Sequence, residues 1–167
     1  MKKWILIGTA SVFLVVLVLF VYIYQTSRAP LKDMRSYAEE RAKTEAKLTK
    51  IDEFYLYNGA ETHYVIVGED KSGEQLAVWI PEKKKEKIVK KKMADGISKQ
   101  DAIAKLNQEE KPQKIMGVRL GMEKNLPLWE ISYLDEQSHL NYYYIPHLNY
   151  YYIHFDTGKW WRKIENL

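Results

Sequence analysis

Hydrophobic positions follow three patterns along this chain. The first is an unbroken run, Trp4 to Tyr24 (WILIGTASVFLVVLVLFVYIY), without a charged residue. As a helix rising about 1.5 Å per residue it reaches about 30 Å, enough to cross a bilayer's hydrocarbon. The second is helical spacing. Between Leu31 and Lys50, Met34, Ala38, Ala42 and Ala46 recur at every fourth position among charged residues, predicting a helix whose small-residue face lies close against a sheet. Ile97-Ser98-Lys99-Gln100-Asp101-Ala102 has the Ser-x-x-Asp arrangement of a helix start. It predicts a second helix that buries Ala102, Ile103 and Leu106 and stops at Lys111-Pro112.

The third pattern is alternation. IDEFYLYNG (51–59), THYVIVGED (62–70) and EQLAVWIPE (74–82), parted by Asn58-Gly59 and Lys71-Ser72-Gly73, predict an antiparallel meander. QKIMGVRLGMEK (113–124), LPLWEISYL (126–134), the tyrosine-rich stretch and KWWRKIENL (159–167) predict another, with turns at Asn125, Asp135-Glu136 and Asp156-Thr157-Gly158. One order, helix and then three or four strands, therefore occurs twice. The predicted fold class is α+β. A tail (1–3), a transmembrane helix (4–24) and a polar joint (25–30) precede two small domains, 31–95 and 96–167, each a helix packed on an antiparallel sheet.

The tyrosine-rich stretch repeats itself: His139 to Ile145 recurs as His147 to Ile153. The repeat unit is eight residues, so it preserves which face each side chain takes but adds about 26 Å of strand, more than LPLWEISYL can cover. Pro146, between the copies, cannot donate to a central ladder. Leu148 to Phe155 is expected to be the strand, because it runs directly into Asp156-Thr157-Gly158. Ser138 to His147 is then an expanded loop, either a tolerated tandem duplication or an aromatic platform built on Tyr142, Tyr143 and Tyr144.

The apolar run is longer than a secretory signal's core of roughly 7–15 residues. The small-x-small candidate Ser27-Arg28-Ala29 would leave Pro30 just after a cut, so an uncleaved anchor is expected. The absence of cysteine excludes a lipid-thioether anchor. Lys2 and Lys3 precede the run while Arg28, Lys32 and Arg35 follow it, so charge does not decide orientation. A short tail before a signal-anchor favours a cytoplasmic N-terminus and extracytoplasmic domains in a single-pass cell-membrane protein. Without Lys2 and Lys3, 24 basic residues face 22 acidic ones, which gives no support to a nucleic-acid partner.

Lys83, Lys84, Lys85, Lys90, Lys91 and Lys92 fit a lysine-guarded edge strand or a site for teichoic-type polyanions or anionic lipid. Of Trp160 and Trp161, neighbours on a strand, one should be core and the other exposed, as a partner anchor or under a lengthened loop. His63, His139, His147 and His154 lack the carboxylate support of a metal centre. There is no G-x-S-x-G, P-loop or G-x-G-x-x-G, and no cysteine nucleophile. No enzyme activity, cofactor or metal is expected.

The helix start SKQDAIA (98–104) and the ending YYIHFDTGKW (151–160) resemble the PepSY pattern. The whole layout, with its signal-anchor, helix-plus-meander unit, PLWEISY (127–133) and YYYIHFDTGKWWRKI (150–164), resembles the YpmB/TseB family of Gram-positive bacilli. That resemblance covers nearly the entire chain and departs from it at the doubled HLNYYYI, where one copy is expected. It implies a membrane-anchored protein with two cystatin-like, PepSY-related domains. It further implies a regulator of cell-wall elongation that modulates a penicillin-binding transpeptidase of the rod-shape machinery. The PepSY likeness alone would imply instead an inhibitor or chaperone-like module for a secreted protease.

Overall fold

The computed structural model describes residues 2–135 and 147–165, apart from the side chains at 3, 5–7, 9–11, 25 and 27–29. It has the α+β class that the alternation predicts. Helix α1 (Lys2–Glu45) is followed by β1 (Leu48–Asn58), β2 (Thr62–Asp70), β3 (Gln75–Pro81) and β4 (Val89–Lys92). A single 3-10 turn (Met93–Asp95) leads to α2 (Lys99–Glu109), then to β5 (Pro112–Glu123), β6 (Leu126–Asp135), β7 (Leu148–His154) and β8 (Trp160–Ile164). Each set of four strands forms an antiparallel sheet in sequence order. The Cα trace divides into compact units at Met1–Tyr37 and Ala38–Leu167.

Residues 25–30, expected as a joint, are helical, with Pro30 inside α1. Val12 to Tyr24 are exposed along the helix. Among the described residues no helix is long and apolar enough to cross a membrane. The described stretch Val12 to Tyr24 covers only about 20 Å, and between it and Trp4 the side chains at 5–7 and 9–11 are outside the described set. Ala38, Ala42 and Ala46 are buried, as their spacing predicts.

The helix expected to last until Lys50 ends earlier, at Glu45. Lys47 takes a left-handed conformation (φ 65°), which stops the helix and turns the chain so that Leu48, itself buried, opens β1. Lysine at such a position gives no sequence cue, unlike the usual glycine.

Elsewhere the turn chemistry acts as read. Gly73 adopts φ 82° between β2 and β3, where Asp70 Oδ1 accepts from the Ser72 and Glu74 amides. Lys124 and Asn125, both at positive φ, close the β5–β6 hairpin in two residues. Ser98 caps α2: its hydroxyl accepts from the Asp101 amide, while the Asp101 carboxylate accepts from the Ser98 amide. The Ser98 hydroxyl, which also donates to that carboxylate, and then the Ser98 amide hold the Asp101 carboxyl below its ordinary pKa.

Strand β7 is the second HLNYYYI copy, paired with β6 from Leu128↔His154 to Leu134↔Leu148. The pairing closes where Asp135 N donates to the His147 carbonyl and His147 N to the Asp135 carboxylate. Apart from His147, the stretch expected as an expanded loop, with Tyr142, Tyr143 and Tyr144, lies outside the described residues.

One core serves both sheets. Val65, Val67, Ala77 and Trp79 of the first meet Leu120, Trp129, Ile131, Tyr151 and Ile153 of the second, with Ala102 and Leu106 of α2. Strand β1 lies against β5. There, a Cβ on Gly121 would fall 2.3 Å from the Tyr57 ring, so only glycine permits the approach. Gly121→Ala should therefore destabilise the protein by about 1–3 kcal/mol, read as a lower urea midpoint. Ser98→Ala should cost about 1 kcal/mol in the same measurement, from the lost cap. An unchanged midpoint in either variant contradicts its assignment.

Candidate functional site

The second sheet buries one face in the common core. Its other face carries a row that crosses all four strands in register: Arg119 of β5 opposite Glu130 of β6, Glu130 opposite Tyr152 of β7, and Tyr152 opposite Arg162 of β8. A carboxylate at 6% exposure needs compensation, and Glu130 has it in an ion pair with Arg119. Tyr152 is buried beside it. Burial first, and then the neighbouring Glu130 charge, push the Tyr152 phenol up to about 12.

Strand β8 explains the outer end of the row. Tyr152 pairs with Arg162 and the adjacent Ile153 with Trp160, so Trp161 is an extra residue, a β-bulge. The bulge brings Trp161 and Arg162 to the same neighbour. Trp161 meets Tyr152 edge-on (centroids 5.8 Å, 88°), and the Arg162 guanidinium carbon lies 4.6 Å from the Tyr152 ring centroid and 4.7 Å from that of Trp161. Tyr150 stacks on Tyr152 at 6.5 Å, and His154 lies 6.4 Å from Trp161. Tyr57 and Leu128 complete the packed part of this cluster.

Simple alternation for Trp160 and Trp161 is therefore modified. Trp160 is 55% exposed, whereas Trp161 is half-buried in the outer cluster, not in the main core. The bulge is the reason. Arg119, Glu130, Tyr150 and Arg162 were not singled out from sequence, although one signal was present: VRLGM and LWEIS each place a charge inside an apolar strand, with opposite signs.

The lysines are distributed differently. Strand β4 is an edge of the first sheet, as the lysine run predicts. Lys83 pairs with Glu61 at 2.7 Å, Lys91 with Asp156 at 2.7 Å and Lys92 with Glu74 at 2.7 Å. These carboxylates raise the pKa of Lys83 and Lys92. Lys85 and Lys90 are exposed, and Lys84 is also engaged.

Among the histidines, His63 is buried with Nδ1 3.2 Å from the Glu61 carbonyl, and His139 lies outside the described residues. Among the described residues no three His, Cys, Asp or Glu are grouped to hold a metal. A cleft of about 590 Å³ lies beside the start of α2, lined by Glu53, Tyr55, Glu74, Met93, Asp101 and Trp129. Its carboxylates are already engaged: Glu53 by Tyr55, Glu74 by Lys92 and Asp101 by Ser98.

Two four-stranded antiparallel sheets sharing one core, with an aromatic and charged outer face on the second, define the protein as α+β. Residues 37–81 match the family described as the cell wall elongation regulator TseB-like domain. The chain is 35% identical over 162 residues to the probable cell wall elongation regulator TseB of Bacillus subtilis (strain 168), covering 95% of this chain and 96% of that protein. The solved YpmB protein from Bacillus subtilis superposes with a TM-score of 0.68 at 35% identity, covering 78% of this chain and 95% of that one. The chain belongs to the TseB family of cell wall elongation regulators.

The tyrosines give the face a pH signature. The folded protein keeps the Tyr152 proton beyond the pH, about 10, at which an unfolded tyrosine loses it. Stability is thus fully present below about pH 10 and lost as pH rises toward about 12. The urea midpoint should be flat up to about pH 9 and fall above it, and Tyr152→Phe should remove part of the fall. A wild-type profile that stays flat through pH 12 contradicts the burial assigned to this phenol.

Proposed function

We propose that this protein is a non-enzymatic regulator of cell-wall elongation, anchored in the cell membrane through residues 4–24, with a cytoplasmic N-terminus and extracytoplasmic residues 31–167. On this reading it binds and modulates a penicillin-binding transpeptidase of the rod-shape machinery. The observation that carries the reading is the nearly end-to-end match to a relative named for cell wall elongation. The uncharged run Trp4 to Tyr24 supports the anchor, and the cystatin-like, PepSY-related character of the two halves belongs to the same proposal.

The mechanism follows from linkage. A regulator changes its partner's activity only by binding one of the partner's states more tightly than another. Anchoring confines both proteins to one plane and raises their effective concentration, so a modest affinity suffices. Two sheets locked together through a common core supply a preformed surface, which reduces the ordering cost of docking.

The test is co-purification of the full-length protein in detergent from native membranes, with fluorescent penicillin to reveal associated transpeptidases. A labelled band that persists in moderate salt is expected. Its absence, with a secreted protease recovered instead, would replace this reading with protease inhibition.

A further inference from the structure

The geometry points to the outer face of the second sheet, centred on Arg162, as a docking surface for an acidic, apolar-flanked segment of a partner protein. The inference begins with an unbalanced charge. In the cross-strand row, Arg119 is committed to Glu130, whereas Arg162 at the other end forms no ion pair with a carboxylate among the described residues. Its Nε is buried without a hydrogen-bond partner.

The cation is also held in place. The ring of Tyr152 lies on one side and that of Trp161 on another, at 4.6 and 4.7 Å, so the guanidinium is positioned before any partner arrives. A planar guanidinium with donors along its rim matches a carboxylate better than a point charge would. Around it lie Tyr150, Trp161 and Ile164, each only partly buried and packed on the Tyr57–Leu128–Tyr152 cluster. An arginine among tyrosine and tryptophan is the composition that concentrates binding energy at protein interfaces.

The same geometry disfavours other occupants. Sugar rings stack on open aromatic faces, but Arg162 lies over the Trp161 ring, and Trp161 and Tyr152 meet nearly at right angles. Polyphosphates need several unpaired cations in a track, yet the row inward from Arg162 passes through Tyr152 to the Glu130 carboxylate. One fixed guanidinium held against two aromatic rings fits one carboxylate with apolar neighbours, as on an extended protein segment.

The probes are a fluorescein-labelled peptide of alternating Glu and Leu and its Gln-for-Glu twin, titrated against the full-length protein in detergent and read by anisotropy. The Glu peptide should bind about tenfold more tightly than its twin, the increment of one charge-assisted hydrogen-bonded contact. Arg162→Gln should abolish that difference, while Lys90→Gln on the other sheet leaves it intact. Equal binding of the two peptides by the unmodified protein overturns the proposal whether or not the variant folds. So does a preference difference that persists in a folded Arg162→Gln protein. Stronger binding of polyphosphate than of the Glu peptide at equal charge would reassign the face to polyanions. The face and the elongation reading fail separately, because the peptides report on Arg162 and the penicillin capture on the identity of a membrane partner.

Discussion

The missing side chain at Gly121 is the constraint on which the rest of the structure depends. It lets the Tyr57 ring of the first sheet settle on the backbone of β5, where the Trp79 indole also donates to the Gly121 carbonyl at 2.8 Å. Two residues along, Glu123 is only 6% exposed, and one of its carboxylate oxygens accepts from the Tyr57 hydroxyl at 3.0 Å and the Ala60 amide at 3.2 Å. A buried carboxylate is costly unless such donors reach it. Three groups from the first sheet thus converge on one short segment of the second and fix how the sheets meet. Trp79, held there, packs edge-on against Phe155 at 5.6 Å, and Phe155 occupies the space a Cβ on Gly96 would take. The connector is tied down as well: the Ile97 amide donates to the Phe155 carbonyl, and its own carbonyl accepts from the Trp129 indole.

What was readable from sequence was whatever neighbouring residues decide. The Ala38, Ala42, Ala46 row, the Ser98–Asp101 cap and the β2 strand are set by local spacing and local hydrogen bonds. The choice between the two HLNYYYI copies was readable because the second adjoins the Asp156-Thr157-Gly158 turn, where Gly158 adopts φ 62° and donates to the His154 carbonyl. What could not be read depends on residues far apart. Glycine at 121 looks like any strand glycine until Tyr57, 64 positions earlier, arrives to fill the gap. The Trp161 bulge is similar, since it arises from how β8 registers on β7 and seats Trp161 in the outer cluster and not in the main core. The outer face was obscured for that reason: Arg162 joins Trp161 only once the bulge has formed.

Glu130 has a further role in this arrangement. A buried ion pair is weak evidence for stability, because the attraction between the partners is set against the loss of water from both. The pairing with Arg119 nonetheless distinguishes one strand register from all its neighbours. Trp129 and Ile131, on either side of Glu130, both point into the shared core. A one-residue slip of β6 would turn Glu130 into that core and expose the two large apolar groups, a change opposed by desolvation of an unpaired carboxylate and by lost apolar burial together. The Arg119–Glu130–Tyr152 row therefore holds β5, β6 and β7 in one alignment. That alignment places Tyr152 where the β8 bulge can seat Arg162 against two rings, so the internal charge pair that specifies the sheet also positions the Arg162 guanidinium at its edge.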